Sequence, residues 1–154
     1  MTPPTESTFP LDPALSFLQK LWHMNHALER LSSDLEGRLG VTAQQRFVLR
    51  CVGAYPGITA GQLGTLLHID PGTVSATVRR LEGKGLILRR RDPSDGRRVF
   101  LGLTSRGRAL DVWTNESAEG AVAELLRTSP PEGIEQALGV LTRLTALLES
   151  RVEP

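Results

Sequence analysis

The sequence predicts a mostly helical chain interrupted once by a small β-hairpin. Three observations carry this. Apolar residues recur at three- and four-residue steps through most of the chain. Helix-start signals precede several of those stretches, and one pair of short β-prone runs flanks Asp92-Pro93-Ser94-Asp95-Gly96. The 154 residues suit one domain with an extension, and 40% hydrophobic with 23% charged residues is ordinary globular usage that excludes wholesale disorder.

Residues 1–13 carry four prolines and no helical period, so a flexible arm is expected. From Ala14 a stripe of Leu15, Leu18, Leu21/Trp22, Asn25, Leu28, Leu31 and Leu35 predicts a long helix ended by Gly37 and Gly40. Thr42-Ala-Gln-Gln45 reads as a capping box, opening a helix that carries Phe47, Val48, Cys51 and Val52 and stops at Tyr55-Pro56-Gly57. A second box, Thr59-Ala-Gly-Gln62, opens a short helix with Leu63, Leu66 and Leu67 inward. Asp70 caps the next helix, with Pro71 in its first turn, where a missing amide costs nothing; the Lys84-Gly85 step stops it. Two strands of a hairpin follow across 86–103. Thr104 is expected to cap one helix carrying Leu110, Trp113, Val122, Leu125 and Leu126. A third box, Ser129-Pro130-Pro131-Glu132, is expected to open a last helix with Ile134, Leu138, Leu141, Leu144/Thr145 and Leu148.

Two short helices joined by Leu67-His68-Ile69-Asp70 form a helix-turn-helix, with the hairpin behind them as a wing. Helix phasing assigns the faces of the second helix. With Val74 at zero, Val78 and Leu81 fall within about 40 degrees of it and must face the core. Gly72, Ala76, Arg79 and Gly83 point away, with Thr73, Ser75 and Arg80 on the flanks. Such a small, polar face lets a backbone approach base edges in a major groove. The helix 71–83 therefore offers Pro71, Gly72, Thr73, Ser75, Ala76, Arg79 and Arg80 to a duplex. Arg79 is the candidate for guanine and Arg80 for phosphate, and the helix N-terminal amides favour phosphate. The competing explanation is that Thr73 completes the cap and Arg79 covers apolar surface with its stem.

Charge distribution points the same way. The chain's net charge is +1, but residues 79–98 hold eight basic residues against three acidic, net +5, which leaves −4 for the remainder. An island of this kind is the footprint of a phosphate-backbone binder, and seven of the eight are arginines. Arg89, Arg90, Arg91, Arg97 and Arg98 load the wing beyond what its turn requires, and Asp95 is placed to hold one of them extended. A guanidinium at such a tip suits the narrow minor groove. A buried salt-bridge network is the alternative use.

These residues resemble the MarR family of winged helix-turn-helix transcription regulators. The likeness runs through Gly57-Ile58-Thr59 to Leu63, Asp70 to Leu81, Lys84-Gly85-Leu86-Ile87, Arg90-Arg91-Asp92-Pro93-Ser94-Asp95-Gly96-Arg97-Arg98 and Leu103-Thr104-Ser105-Arg106-Gly107-Arg108. Each step is weak alone, but the ordered set is specific and covers about Ala14 to Arg151. The resemblance implies a homodimer, expected to be a repressor, with dimerisation helices at 14–40 and 104–154 around a DNA-binding domain at 41–103. Two recognition helices would then sit about 34–36 Å apart on a pseudo-palindromic operator.

Many members release DNA on meeting a small organic acid, an oxidant or a metal. The oxidant-sensing members carry a reactive cysteine at the start of the first helix; this chain has only Cys51, in an apolar position that reads as inert core. Trp22, His23 and His26 are candidates to line an effector cleft. The His23-x-x-His26 spacing also suits a metal-responsive regulator, although no third ligand is placed beside it and no bound metal or cofactor is expected. No nucleophile–base set, phosphate loop or interacting carboxylate pair suggests catalysis. A winged-helix module gripping an acidic partner protein is the remaining rival. With no secretory signal and no apolar run of membrane length, a soluble cytoplasmic protein is expected.

Overall fold

The computed structural model describes residues 11–152 except Trp113 and Asn115; most of the arm, and Trp113, therefore lie outside the described residues. The element order is α1 (Pro13–Leu39), α2 (Ala43–Ala54), α3 (Ala60–Leu67), α4 (Pro71–Gly83), β1 (Ile87–Arg91), β2 (Val99–Leu103), α5 (Ser105–Leu110), α6 (Ala118–Thr128) and α7 (Pro131–Glu149). The chain divides into two compact units after Val112.

Local chemistry explains most boundaries of the first unit. Asp12 caps α1 by accepting from the Ala14 and Leu15 amides at 2.8 and 3.0 Å. Gly40 ends α1 in the left-handed region at φ 72°, so Gly37 lies inside the helix. Both threonine capping boxes form reciprocally, Thr42 with Gln45 and Thr59 with Gln62.

One core joins α2, α3, α4 and the hairpin, built on Val48, Leu49, Val52, Leu63, Val74, Val78, Leu81, Leu86, Ile87 and Leu101. One inward assignment is corrected: Leu66 is 42% exposed, while Leu63 is fully buried and Leu67 packs against the core. In α2, Phe47 is 51% exposed and Leu49 fully buried. The hairpin pairs Ile87 with Leu103 through Arg91 with Val99, antiparallel. Its root is held by a third short segment: the Leu101 amide donates to the Ile58 carbonyl at 2.8 Å.

The helix expected to run from Thr104 through Leu126 is broken. Thr104 caps α5 as anticipated, but α5 stops at Leu110 and α6 restarts behind Ser117. Two arginines of α2 take the carbonyls at that end. Arg46, 2% exposed, donates Nη1 to the Leu110 carbonyl at 3.0 Å and Nη2 to that of Val112. Arg50 Nη1 donates to the Asp111 carbonyl at 2.8 Å and its carboxylate at 2.7 Å. Gly53 makes room, since a Cβ there would lie 2.1 Å from Asp111 Oδ2.

In the second unit Ser117 caps α6. The expected box at Ser129 does not form: Pro130 is the cap residue of α7 and has no side-chain bond to offer. A residue before proline is kept out of the helical region, so Pro131 holds Pro130 at ψ 138°, its own ring setting φ at −61°, and the helix start moves past Ser129. Neither α6 nor α7 contains a buried residue.

At the start of α4, Asp70 accepts from the Thr73 amide at 2.9 Å and the Thr73 hydroxyl at 2.5 Å. These two bonds, the hydroxyl first, hold its carboxyl below the ordinary range. A depressed carboxyl stabilises the fold above its unfolded pKa and stops doing so as pH falls through the folded one. Asp70→Ala should therefore melt below wild type at neutral pH, with the gap narrowing below about pH 4. A gap that stays constant down to acid pH would contradict the cap. Gly107 supplies a second test, because a Cβ there would sit 2.1 Å from the Leu86 carbonyl oxygen. Gly107→Ala should cost about 1–3 kcal/mol or more. Gly61→Ala, with nothing within 4 Å, should be neutral or stabilising when both variants are compared with wild type by denaturant titration.

Candidate nucleic-acid interface

The surface of interest is built on α4 and the hairpin behind it. Val74, Val78 and Leu81 are 2, 0 and 0% exposed, as phasing requires, and Thr77 joins them. Pro71, Gly72, Arg79, Arg80 and Gly83 are consequently exposed, while Thr73, Ser75 and Ala76 lie half-buried on the flanks. The turn before α4 is set by His68, whose φ of 51° closes α3 in the left-handed region.

The N-terminus of α4 differs from a free anion site. Pro71 has no amide, the Thr73 amide and hydroxyl are engaged by Asp70, and the Val74 amide bonds the Asp70 carbonyl at 3.1 Å. The cap explanation holds for Thr73, and an exposed carboxylate stands where phosphate was expected. The cationic end of the helix, at Arg79 and Arg80, is the end open to an anion.

Arg89, Arg90, Arg91, Arg97 and Arg98 are all exposed, so no buried network absorbs them. Arg89 Nε meets Glu82 Oε2 at 3.1 Å, tying the hairpin to α4 with both partners about 40% exposed. The Arg98 guanidinium lies 5.4 Å from the centre of the Phe100 ring and 4.0 Å from Asp92. Among the described residues Arg79, Arg80, Arg90, Arg91 and Arg97 make no ion pair.

The turn acids act as turn chemistry predicts. Asp92 accepts from the Ser94 hydroxyl at 2.6 Å and amide at 2.9 Å, which lowers its carboxyl pKa, the hydroxyl contributing most. Asp95 accepts from the backbone amide of Arg97 at 3.1 Å. The carboxylate beside an arginine side chain is therefore that of Asp92, a correction to the role expected of Asp95.

Away from this surface, Trp22, His23 and His26 are exposed on α1, Trp22 at 70%. A groove of about 490 Å³ lies between the end of α2 and the hairpin, lined by Val52, Gly53, Leu88, Arg90, Phe100 and Asp111 among others; none of those three residues lines it. Among the described residues no group of three or more His, Cys, Asp or Glu side chains is placed to hold a metal ion. Cys51 is buried, and burial pushes its thiol pKa up. No helix among the described residues is long and apolar enough to cross a membrane.

Sequence reasoning missed the buried Arg46 and the inward turn of Lys84, whose ammonium donates to the Gly40 carbonyl at 2.6 Å. Both contacts span more than 40 residues of chain, and no local pattern announces them.

Comparison with known proteins agrees with this arrangement. The MarR family model matches residues 41–99. The organic hydroperoxide resistance transcriptional regulator of Bacillus subtilis (strain 168) is 29% identical over 140 residues, covering 91% of this chain and 90% of that relative. The HTH-type transcriptional repressor Rv2887 of Mycobacterium tuberculosis (strain ATCC 25618 / H37Rv) is 30% identical over 95 residues, 61% of this chain and 68% of the relative. The chain spans 44% of the length of another relative, the HTH-type transcriptional regulator TtmR of Methylorubrum extorquens (strain PA1), at 34% identity over 85 residues, 55% of this chain. Among solved structures, the S. aureus MepR–DNA complex superposes with a TM-score of 0.68 at 27% identity, over 87% of this chain and 97% of that one. These relatives are transcription regulators rather than enzymes. With its helix-turn-helix, its arginine-bearing hairpin and these likenesses together, the chain belongs to the MarR family.

Proposed function

We propose that the chain works as a homodimeric repressor that binds a pseudo-palindromic operator in double-stranded DNA. In this reading α4 (71–83) enters the major groove, the wing (86–103) lies at the minor groove, and a small organic effector releases the complex. The observation that carries it is the set of five arginines, on α4 and on the hairpin, that are solvent-facing and unpaired by carboxylates. Phosphate is the chemistry such a surface lacks. Arg79 reads a base, Arg80 a phosphate, and Arg97 with Arg98 follows the minor groove. Gly72, Ser75 and Ala76 allow close approach, with Pro71 and Thr73 shaping the first turn.

A dimer supplies the second half of the operator contact. Leu15, Leu18, Trp22 and Leu28 on α1, and Val122, Leu125, Leu138, Leu141 and Leu148 on α6 and α7, are 37–70% exposed in the single chain. Apolar surface of this extent favours an obligate partner, and a second copy is the one the family reading supplies. The repressor role follows the name of the mycobacterial relative, and DNA binding the solved complex. The name of the Bacillus relative concerns hydroperoxide, but the buried thiol of Cys51 does not support thiolate sensing here, which favours a non-covalent organic effector. Trp22, His23 and His26 are the residues assigned to its cleft. A regulator of this kind works beside the chromosome, in the cytoplasm.

The test is equilibrium binding across a salt series, using a duplex that the wild-type protein enriches from a randomised pool and a scrambled duplex. Arg79→Ala should cost about 1–3 kcal/mol on the enriched duplex alone. Arg97→Ala should weaken both and reduce the salt slope by about one. Equal loss on both duplexes for Arg79→Ala would remove it as the base reader, and an unchanged slope for Arg97→Ala would remove the wing from the interface. Retention by an acidic protein with none by DNA would instead favour a protein-interaction module.

A further inference from the structure

We infer that Lys84 is a positioning residue: its ammonium straps the C-terminal end of α4 to the corner between α1 and α2, and so sets the angle at which α4 meets a duplex. The assignment rests on the DNA reading of α4. Lys84 belongs to the basic island by sequence but not by exposure. Its Nζ donates to the Gly40 carbonyl at 2.6 Å and to Gln45 Oε1 at 2.9 Å.

Both acceptors suit a cation. Gly40 closes α1, where the helix dipole is negative and terminal carbonyls lack intrahelical partners. Gln45 is 7% exposed, and its Oε1 also accepts from the Thr42 amide at 3.4 Å in the capping box of α2. One side-chain oxygen therefore serves both the start of α2 and the end of α4.

The opposite side of the same helix end is held from α5. Arg106 Nη1 donates to the Lys84 carbonyl at 3.1 Å, and Thr104 Oγ1 to the Gly85 carbonyl at 2.7 Å. Within α4 itself, Val74, Val78 and Leu81 fix rotation about the helix axis, but a core seam on one face leaves tilt to whatever holds the ends. At the N-terminal end the Asp70 side chain caps α4 locally, through Thr73. At the C-terminal end Lys84, Arg106 and Thr104 make bonds between elements, and of these Lys84 reaches the C-terminal end of α1, the helix whose stripe from Leu15 to Leu28 is assigned above to a second copy. Lys84 thereby joins the end of that helix to the helix that would read bases.

The experiment compares wild type, Lys84→Met and Lys84→Arg as full chains. Met keeps most of the apolar stem and cannot donate; Arg restores a donor. Hydrogen exchange on the DNA-free protein reads the strap directly, at the amides of Lys84, Gly85 and Leu86, which bond the carbonyls of Arg80, Glu82 and Leu81. Lys84→Met should raise their exchange by about tenfold or more. On the two duplexes described above it should cut the preference for the enriched sequence by roughly fivefold or more, leaving scrambled-duplex affinity and its salt slope unchanged. Lys84→Arg should recover most of the preference.

A salt slope reduced by about one would make Lys84 a phosphate contact and overturn the assignment. So would a lower melting temperature with preference intact, which marks a merely structural bond, or exchange that does not change. A wild-type protein that enriches no sequence would overturn the DNA reading, while the exchange result would still decide whether the strap exists.

Discussion

The seam of Val74, Val78 and Leu81 against α2, α3 and the hairpin root is the constraint on which the candidate interface depends. These three side chains are almost entirely removed from water, and each contributes about 1.5–3 kcal/mol of burial that any rotation of α4 would forfeit. Advancing the helix by one residue, about 100 degrees, would move Arg79 toward the place of Val78 and bury a guanidinium without a partner. The seam therefore selects, by the helical repeat alone, which residues solvent receives: Gly72, Arg79, Arg80 and Gly83. Leu86 and Ile87 continue the same core directly after α4, so the hairpin that carries the remaining arginines is fixed to the same reference.

The fate of the cations shows why net charge is a poor guide to this molecule. One set of basic side chains is engaged by main-chain carbonyls. Arg46 and Arg50 hold the end of α5, Arg106 holds Lys84, Arg108 Nη1 holds the Leu103 carbonyl at 2.9 Å, and Lys84 holds Gly40. These cations organise helix ends. The other set, on α4 and the hairpin, is left facing water; among the described residues only Glu82 and Asp92 pair with any of its members. A chain close to neutral overall thus presents a concentrated cationic surface, and that separation is what a polyanion would recognise.

Much of this was legible locally. The periodic apolar stripe placed α4 and its faces correctly. The two Thr-x-x-Gln boxes opened α2 and α3 where expected, and Asp92-Pro93-Ser94-Asp95-Gly96 marked the hairpin tip. What failed was long-range or ambiguous at short range. Leu66, 42% exposed, sits beside Leu67, which packs against the core, a choice periodicity alone does not make. The break after Leu110 depends on arginines some 60 residues away, and the Ile58–Leu101 bond on a strand pairing without a local signature. The cap at Ser129 failed for a reason that was local, since one proline placed before another holds the first outside the helix.

Methylation interference at guanine N7 on the enriched duplex tests the central claim most directly, because it reports which major-groove edges must be free for binding. Two interfering clusters, related by the symmetry of the site and about 10 base pairs apart, are expected from a dimer presenting two copies of α4. A single cluster, or binding indifferent to methylation at every guanine, would contradict the placement of α4 in the major groove of a two-fold operator.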